Sequence, residues 1–204
     1  IKPNPLYENT GVAYLDTHYY GGIKKYQWVT LPLAIHGVVV KKDGITEEIC
    51  IGEDKDDPVV FISDLLPHLS QEQQEKKASE LFGGGALDIV FGNRPMVKKG
   101  DEKEEKEAVK AQILRLLEEM YDMKEEDFLS AELEVVPAGK AREAGLDRSM
   151  IMAYGQDDKV CAYAAIHALL HAKKLARTSV VMLTDKEEIG SCGATGMTSH
   201  FYEN

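Results

Sequence analysis

The sequence predicts an α/β fold, and the order of its C-terminal segments carries the prediction. Residues 180–183 form a short, β-branched apolar run of the kind found in buried parallel strands. An alanine-rich helix is predicted before this run, over about 160–177, and a short apolar strand before the helix, over 149–153. Strand, helix and strand in that order form a βαβ unit, whose two strands are parallel.

Acidic side chains follow both of these predicted strands. Asp157 and Asp158 come after the first strand, and Glu187 and Glu188 come after the second. Parallel strands would bring both pairs to one edge of the sheet, which is where open α/β sheets bind ligands. Taken alone, each pair is better explained by a solvated turn or a helix start. Found together at one edge, they make a metal-assisted hydrolase site the working hypothesis.

The segment behind the glutamates is rich in glycine. Gly190, Gly193 and Gly196 would let the backbone turn sharply and approach a ligand closely. Two adjacent glutamates at the end of a buried strand would be costly unless a positive charge lies beside them. Cys192 lies in the same turn, but co-catalytic zinc sites prefer oxygen and nitrogen ligands, so it is not predicted to bind metal.

Composition limits the classes of function. The chain of 204 residues is 44% hydrophobic and 29% charged, which is ordinary for a globular protein. Its formal net charge of -11 argues against a nucleic-acid partner. No apolar run reaches the ~20 residues of a membrane span. The widely spaced cysteines form neither a disulfide framework nor a CxxC zinc site. We therefore expect a cytoplasmic protein with no nucleic-acid or membrane partner.

The N-terminal part of the chain predicts a compact β module. Residues 1–15 contain prolines and an Asn-Thr-Gly turn, so an extended or looped segment is expected there. A hairpin turn is predicted at 41–44, because Asp-Gly is a strong turn dipeptide. The strands predicted around it cover 27–31, 33–40, 45–52 and 59–62.

A helix and one further strand are predicted between this module and the βαβ unit. The helix covers 101–121 and the strand covers 128–136, ending where Pro137 interrupts the pattern. Apolar side chains at helical spacing are predicted to form the buried face of the helix. They are Val109, Ile113, Leu116, Leu117 and Met120.

The segment TDKEEIGSCGATG, together with the upstream AYGQDDKVCAY, resembles the aspartyl aminopeptidase family of co-catalytic zinc exopeptidases, and the resemblance covers nearly the whole chain. KPNPLY resembles the stretch after that family's first metal-binding strand. THYYGG and LPLAIHG resemble the start of an inserted dimerisation domain, and VVPAGKAREAGLDRSMI resembles the return to the catalytic domain. The resemblance implies an α/β zinc-peptidase catalytic domain, to which 1–15 and 148–204 belong, interrupted by a mostly-β dimerisation domain over 16–147.

The resemblance also implies roles for individual residues. Asp157 would bridge two divalent metal ions, which the family identifies as zinc, and Glu188 would bind one of them. Glu187 would be the general base that activates the bridging water for attack on a peptide substrate. His68, within ISDLLPHL, would enter the active site of a partner subunit. Self-association through the inserted domain would build a tetrahedral dodecamer from dimers.

The metal site implied by the resemblance is only partly present. The family's first ligand, in a His-x-Asp motif, would precede Ile1, and its remaining Asp and His ligands would follow Asn204. We therefore expect an internal fragment of a metal-dependent aminopeptidase that removes N-terminal residues, with acidic ones as the candidate preference. The 204-residue chain alone is expected to be inactive. Two other functions stay open, a non-catalytic dimerisation or assembly module and a two-metal deacylase acting on small amides.

The remaining histidines are not predicted to bind metal. His36 lies in an apolar strand, where a core histidine with satisfied hydrogen bonds is expected. His167 and His171 are one helical turn apart, but without the intervening Glu of a zincin motif they are predicted to be a packing or surface pair. For His68, capping a loop is the alternative to a role in the partner's site.

Overall fold

Antiparallel strands and helices are mixed in the structure, a computed structural model that describes residues 1–83, 85–96 and 106–203. These residues divide into two units. The first comprises Ile1–Tyr19 and Ile23–Lys140, and the second comprises Tyr20–Gly22 and Ala141–Asn204. The buried apolar side chains that form a hydrophobic core all belong to the first unit.

The strands of the first unit form two antiparallel sheets. In chain order the strands are β1 (Leu6–Asn9), β2 (Val12–Leu15), β3 (Leu33–Val40), β4 (Thr46–Ile51), β5 (Ile89–Gly92) and β6 (Ala131–Pro137). One sheet has the strand order β1-β2-β5 and the other has the order β4-β3-β6.

The predicted hairpin between β3 and β4 is confirmed. The Lys41 backbone amide donates to the Ile45 carbonyl oxygen over 2.8 Å, and the Gly44 amide donates to the Lys41 carbonyl over 2.9 Å. Gly44 adopts a φ of 85°, which a glycine reaches without a steric penalty. The paired register runs from Val40 opposite Thr46 to Ile35 opposite Ile51.

The helices and helical turns of the first unit are short except for one. That long helix is α2 (Ala108–Tyr121), which packs on the β1-β2-β5 sheet. Ile113 lies so close to Gly92 that a Cβ there would be 2.6 Å from its Cδ1. The other helical segments are α1 (Gln71–Gln74) and the 3-10 turns Lys25–Gln27, Pro67–Leu69, Ala78–Glu80 and Glu125–Ser130.

The predicted buried face of α2 is confirmed for three of its five residues and wrong for the other two. Val109, Ile113 and Leu117, which repeat every four residues, are buried. Leu116 and Met120 are 37% and 60% exposed. Leu116 lies about 60° around the helix from Ile113, on the margin of the buried stripe. Met120 lies on the same side of the helix as Val109 and Ile113, but it belongs to the last turn, which ends at Tyr121. The predicted first residues, 101–105, lie outside the described part of the chain.

Two strands predicted in the β module are wrong. Residues 27–31 contain the end of the 3-10 turn and a single bridge from Val29 to Ile62. Residues 59–62 form only isolated bridges, from Val60 to Leu33 and from Phe61 to Val90. Each segment meets its neighbour at isolated points, so a continuous ladder does not form. Similarly, the strand predicted over 128–136 begins later, as β6, because a 3-10 turn occupies Glu125–Ser130.

The second unit contains one small sheet and one long helix. Strands β7 (Arg142–Ala144) and β8 (Met150–Met152) pair antiparallel, with Arg142 opposite Met152. Helix α3 (Gln156–His171) follows, and a 3-10 turn forms at Glu187–Ile189. The prediction of a helix here is confirmed, but it begins and ends earlier than the predicted 160–177.

The predicted parallel βαβ unit is not formed by the described residues. β8 is exposed and pairs antiparallel, and 180–183 is not a strand. Val180 and Leu183 are 81% and 55% exposed. A strand exists only when a neighbour accepts and donates its backbone hydrogen bonds. Within the described chain, no strand pairs with 180–183.

The division into an interrupted catalytic domain and an inserted dimerisation domain stays a prediction. The two units separate the chain between Lys140 and Ala141, and residues 1–15 group with the first unit. Among the described residues, no helix is both long enough and apolar enough to span a membrane.

Candidate active site

The turn that carries Glu187 and Glu188 is closed by backbone hydrogen bonds. The Ser191 amide donates to the Lys186 carbonyl oxygen over 2.7 Å, and the Gly190 amide donates to the Glu187 carbonyl over 3.0 Å. Lys186 and Gly190, at the two ends of the 3-10 turn, both adopt left-handed backbone conformations. The glycine at 190 allows this conformation without strain, whereas Lys186 adopts it at a steric cost.

The return of the chain depends on Gly196. A Cβ at this buried residue would lie 2.2 Å from the Ser191 carbonyl oxygen and 2.5 Å from that of Cys192. Nearby, the Thr198 hydroxyl donates to the same Ser191 oxygen over 2.7 Å. The glycine predicted to permit close backbone approach is therefore packed against the turn's own backbone, in direct contact with the segment that follows the glutamates.

Both glutamates are exposed, which corrects one premise of the prediction. The sequence pattern placed them at the end of a buried strand, but 180–183 is neither a strand nor fully buried, and both glutamates are exposed in the described chain. Within the described chain, neither carboxylate has an ion-pair or hydrogen-bond partner. Solvated carboxylates carry no desolvation penalty, so both oxygens of each remain available to a ligand.

Lys186 lies directly before the glutamates, and its side chain contacts both a carboxylate and an aromatic ring. Its Nζ is 3.3 Å from the Asp185 Oδ2 and 5.9 Å from the centre of the Tyr20 ring. The side chain is only 23% exposed, which is low for a lysine. The Lys186 backbone amide, and then its ammonium group, hold the pKa of Asp185 below its ordinary value.

The segment Tyr20–Gly22 also reaches the turn. A Cβ on Gly21 would lie 3.4 Å from the Glu188 Cβ and 3.6 Å from its carbonyl oxygen. Gly21 has a φ of 69°, so a side chain there would also be strained. Neither Tyr20 nor Lys186 was predicted from the sequence. The available signal was a lysine placed between an aspartate and two glutamates.

Asp157 lies at the start of α3. Its backbone, with φ -86° and ψ 113°, is not helical, and its peptide bond to Asp158 is cis. Gly155 precedes it in a left-handed conformation, as the N-cap. Asp157 is exposed and belongs to the second unit, as do Glu187 and Glu188. The parallel sheet edge expected to bring these residues together is absent from the described structure.

No complete metal site is formed by the described residues, which gather no group of three histidine, cysteine, aspartate or glutamate side chains suited to a metal ion. Catalytic zinc is held by three protein ligands, so the described chain falls short in ligand number. In chemistry the carboxylates of Asp157 and Glu188 do suit zinc, because aspartate and glutamate oxygens are among its usual ligands.

His68 belongs to the first unit. It lies in the 3-10 turn Pro67–Leu69 and is exposed. Leu65, Leu66 and Leu69 around it are exposed as well. The role of His68 in a partner's site and its alternative role as a loop cap both stay predictions.

His36, His167 and His171 each contact a neighbour within the described chain. The His36 Nε2 lies 2.9 Å from the Glu53 Oε1 and is half-buried, so the ring has the hydrogen-bond partner that was expected of it. His167 and His171 stack with ring centres 3.8 Å apart on α3, in keeping with the predicted pair.

Comparison with known proteins identifies the family. The family described as "Aminopeptidase I zinc metalloprotease (M18)" matches residues 1–204. A protein of Clostridium acetobutylicum named "Probable M18 family aminopeptidase 1" is 60% identical over 204 residues, which are all of this chain and 43% of that protein. A protein of the same name from Thermotoga maritima is 53% identical over 202 residues, or 43% of its length.

Solved structures agree with this assignment. The crystal structure of aminopeptidase I from Clostridium acetobutylicum superposes with a TM-score of 0.91 at 57% identity, covering 100% of this chain and 44% of that one. An M18 aminopeptidase structure from Thermotoga maritima gives a TM-score of 0.83 at 50% identity, covering 98% of this chain and 43% of that one. The chain thus spans less than half the length of these relatives. The resemblance to zinc metallo-aminopeptidases is confirmed, and the chain belongs to the M18 family of aminopeptidase I zinc metalloproteases.

Proposed function

We propose that the whole protein is a zinc-dependent aminopeptidase that removes N-terminal residues from peptides. The observation that carries this proposal is the match of residues 1–204 to a family described as zinc metalloproteases. The exposed turn with Glu187 and Glu188 supports it, because it offers carboxylates of the kind that metal-assisted hydrolysis needs. The chain spans 43% of its relatives' length, so the activity is proposed for the whole protein.

The turn suits two different roles for its two glutamates. A 3-10 helix has about three residues per turn, so the side chains of Glu187 and Glu188 project roughly 120° apart. One carboxylate can therefore hold a metal ion while the other stays unbound. We assign Glu187 as the general base that accepts a proton from the attacking water, and Glu188 as a metal ligand. Zinc, when bound, supplies a Lewis acid that polarises the substrate carbonyl.

Asp157 is proposed as the ligand shared by two zinc ions. Its carboxylate has two oxygens, each of which can contact one ion. Asp157 and Glu188 together provide fewer ligands than two ions require. The proposal therefore needs further ligands from outside the described residues, and the relatives have more than half of their length beyond the part that matches this chain.

Self-association is part of the proposal. We assign 16–147 as an inserted dimerisation domain and His68 as a residue that it contributes to the active site of a partner subunit, within a dodecamer built from dimers. The exposure of His68, Leu65, Leu66 and Leu69 supports a contact surface at this turn. We place the protein in the cytoplasm, in keeping with three free cysteines.

The proposal is tested by assaying the whole protein on peptides that differ in their N-terminal residue, with an N-acetylated peptide and a small N-acyl amide as further substrates. We expect cleavage that requires a free N-terminus, disappears after chelation and returns with zinc. Cleavage of the N-acyl amide in preference to the peptides would identify a deacylase instead. Zinc binding and cleavage both absent would identify an assembly module.

A further inference from the structure

We propose that Lys186 is a positioning residue, whose side chain, clamped between the Asp185 carboxylate and the Tyr20 ring, holds the turn that presents Glu187 and Glu188. The inference rests on the proposed function for the roles of the two glutamates. The geometry of the clamp is independent of those roles. Its members, Tyr20 and Asp185–Glu188, all belong to the second unit.

The backbone of Lys186 gives the first reason. Its φ of 68° and ψ of 18° are left-handed, a region that residues with a Cβ enter at a cost of about 1–2 kcal/mol. Such a conformation persists when the surroundings hold it in place, and strained residues of this kind cluster at active sites. The Lys186 carbonyl accepts the 2.7 Å hydrogen bond from Ser191, so its orientation decides where the turn closes.

The side chain gives the second reason. The Lys186 Nζ lies 3.3 Å from the Asp185 Oδ2 and 5.9 Å from the Tyr20 ring centre, within the range of a cation–π interaction. Only 23% of the side chain is exposed. Asp185 is itself bonded to the segment that returns after the turn, because its amide donates to the Thr195 carbonyl oxygen over 3.0 Å. Lys186 thus connects the Tyr20 segment to Asp185 at the start of the turn, and Asp185 in turn is bonded to the segment that returns at Thr195.

The neighbour of Tyr20 gives the third reason. Gly21 approaches Glu188 so closely that an added Cβ would contact the Glu188 Cβ at 3.4 Å. Two successive residues of this segment, Tyr20 and Gly21, therefore lie beside the turn, the first at Lys186 and the second at Glu188. If the contact between Lys186 and Tyr20 is lost, we expect the neighbouring Gly21 to become more mobile beside Glu188 as well.

The experiment compares Lys186→Met with Lys186→Arg in the whole protein. Tyr20→Leu and Tyr20→Phe form a second pair, which tests the same clamp from the ring side. Lys25→Met is the matched control, because the Lys25 Nζ lies 5.3 Å from the Tyr19 ring centre and both residues belong to the first unit, not to the clamp. Each protein is prepared without metal and then titrated with zinc.

The first measurement is hydrogen exchange of peptides covering 185–198 in the metal-free protein. Loss of a cation–π contact at a partly exposed site corresponds to about a two- to five-fold rise in exchange of the Ser191 and Gly190 amides. We expect this rise in Lys186→Met and Tyr20→Leu, and wild-type exchange in Lys186→Arg, Tyr20→Phe and Lys25→Met. Unchanged exchange in both Lys186→Met and Tyr20→Leu would overturn the proposal, whether or not the protein binds zinc.

The second measurement is the zinc dissociation constant, obtained by competition with a chromophoric chelator. Removing a residue that orients a metal ligand typically weakens metal affinity ten-fold or more. We therefore expect roughly ten-fold weaker zinc binding in Lys186→Met and recovery of the wild-type affinity in Lys186→Arg. Equal weakening in Lys186→Arg would contradict a role of the lysine charge. A wild-type protein that binds no zinc would contradict the proposed function instead, while the exchange result would still decide the positioning role.

Discussion

The backbone amide of Ser191 donates a 2.7 Å hydrogen bond to the carbonyl oxygen of Lys186, and this bond closes the turn that carries both candidate glutamates. The carbonyl oxygen of the same Ser191 accepts a hydrogen bond from the Thr198 hydroxyl and lies close to the α-carbon of Gly196. Ser191 therefore connects the start of the glutamate turn to the segment that follows it. Substitutions at this junction should change the positions of Glu187 and Glu188 without replacing either glutamate.

Gly196→Ala is expected to distort this junction. An added Cβ would lie 2.2 Å from the Ser191 carbonyl oxygen, and a backbone atom cannot move aside as a flexible side chain would. Overpacking of this kind costs about 1–3 kcal/mol. We expect a lower melting temperature together with weaker zinc binding, measured by thermal denaturation and by metal titration.

Gly22→Ala is the control for that change. Gly22 lies in the same unit, has nothing within 4 Å of an added Cβ, and does not adopt a positive φ. We expect Gly22→Ala to keep the wild-type melting temperature and zinc affinity. Wild-type behaviour of Gly196→Ala would show that the junction tolerates displacement, and that the turn is not held as described.

Glu8→Ala is expected to destabilise the first unit through α2. One oxygen of the Glu8 carboxylate accepts hydrogen bonds from the backbone amides of Val109 and Lys110, over 2.9 Å and 3.0 Å. These amides lack partners within the helix, so β1 supplies the cap. Loss of a side-chain cap typically costs about 1 kcal/mol. The free energy of unfolding measures this, and Glu118→Ala, an exposed change on α2, should have little effect.

Tyr7→Phe is expected to reduce the sensitivity of the protein to alkali. The Tyr7 hydroxyl donates to the Asp88 Oδ2 over 2.6 Å, and burial, followed by this hydrogen bond and the charge of Asp88, raises the pKa of Tyr7 well above 10.0. The unfolded chain loses this proton first. The stabilising contribution is therefore complete below about pH 10 and is lost as the pH rises from there toward the folded pKa.

Urea denaturation from about pH 9 to about pH 11 measures this effect. Tyr7→Phe should be less stable than the wild type at the lower pH, because the hydrogen bond is lost, and should lose less further stability on going to the higher pH. Tyr26→Phe, a change at an exposed tyrosine, should keep the wild-type slope. An unchanged slope in Tyr7→Phe would show that this tyrosine does not couple folding to alkaline pH.

Local signals in the sequence predicted part of the fold well. The Asp43-Gly44 turn and the four-residue spacing of Val109, Ile113 and Leu117 depend on neighbours in the chain, and both predictions are confirmed. The run at 180–183 has the composition of a strand, but a strand also needs a paired neighbour, which composition does not reveal. Its prediction as a buried parallel strand is wrong in the described structure.

The contacts of the candidate site also depend on residues that are distant in the sequence. Glu187, Glu188 and Asp157 could be proposed from acidic pairs that follow apolar segments and from a family resemblance, and their roles remain proposals. The contacts of the turn with Tyr20 and Gly21 connect residues that are distant in the sequence. No spacing rule relates such residues. Likewise, the cap that Glu8 provides for α2 joins positions 101 residues apart.

The central claim is the division of roles between the adjacent glutamates, and comparing Glu187→Gln with Glu188→Gln in the whole protein tests it most directly. Zinc content and kcat on a peptide with a free N-terminus are measured for both. We predict that Glu187→Gln retains its zinc while kcat falls by about 10²–10⁴-fold, as expected for loss of a general base. We predict that Glu188→Gln binds zinc more weakly. Retained activity in Glu187→Gln, or an equal loss of zinc in both variants, would contradict the account.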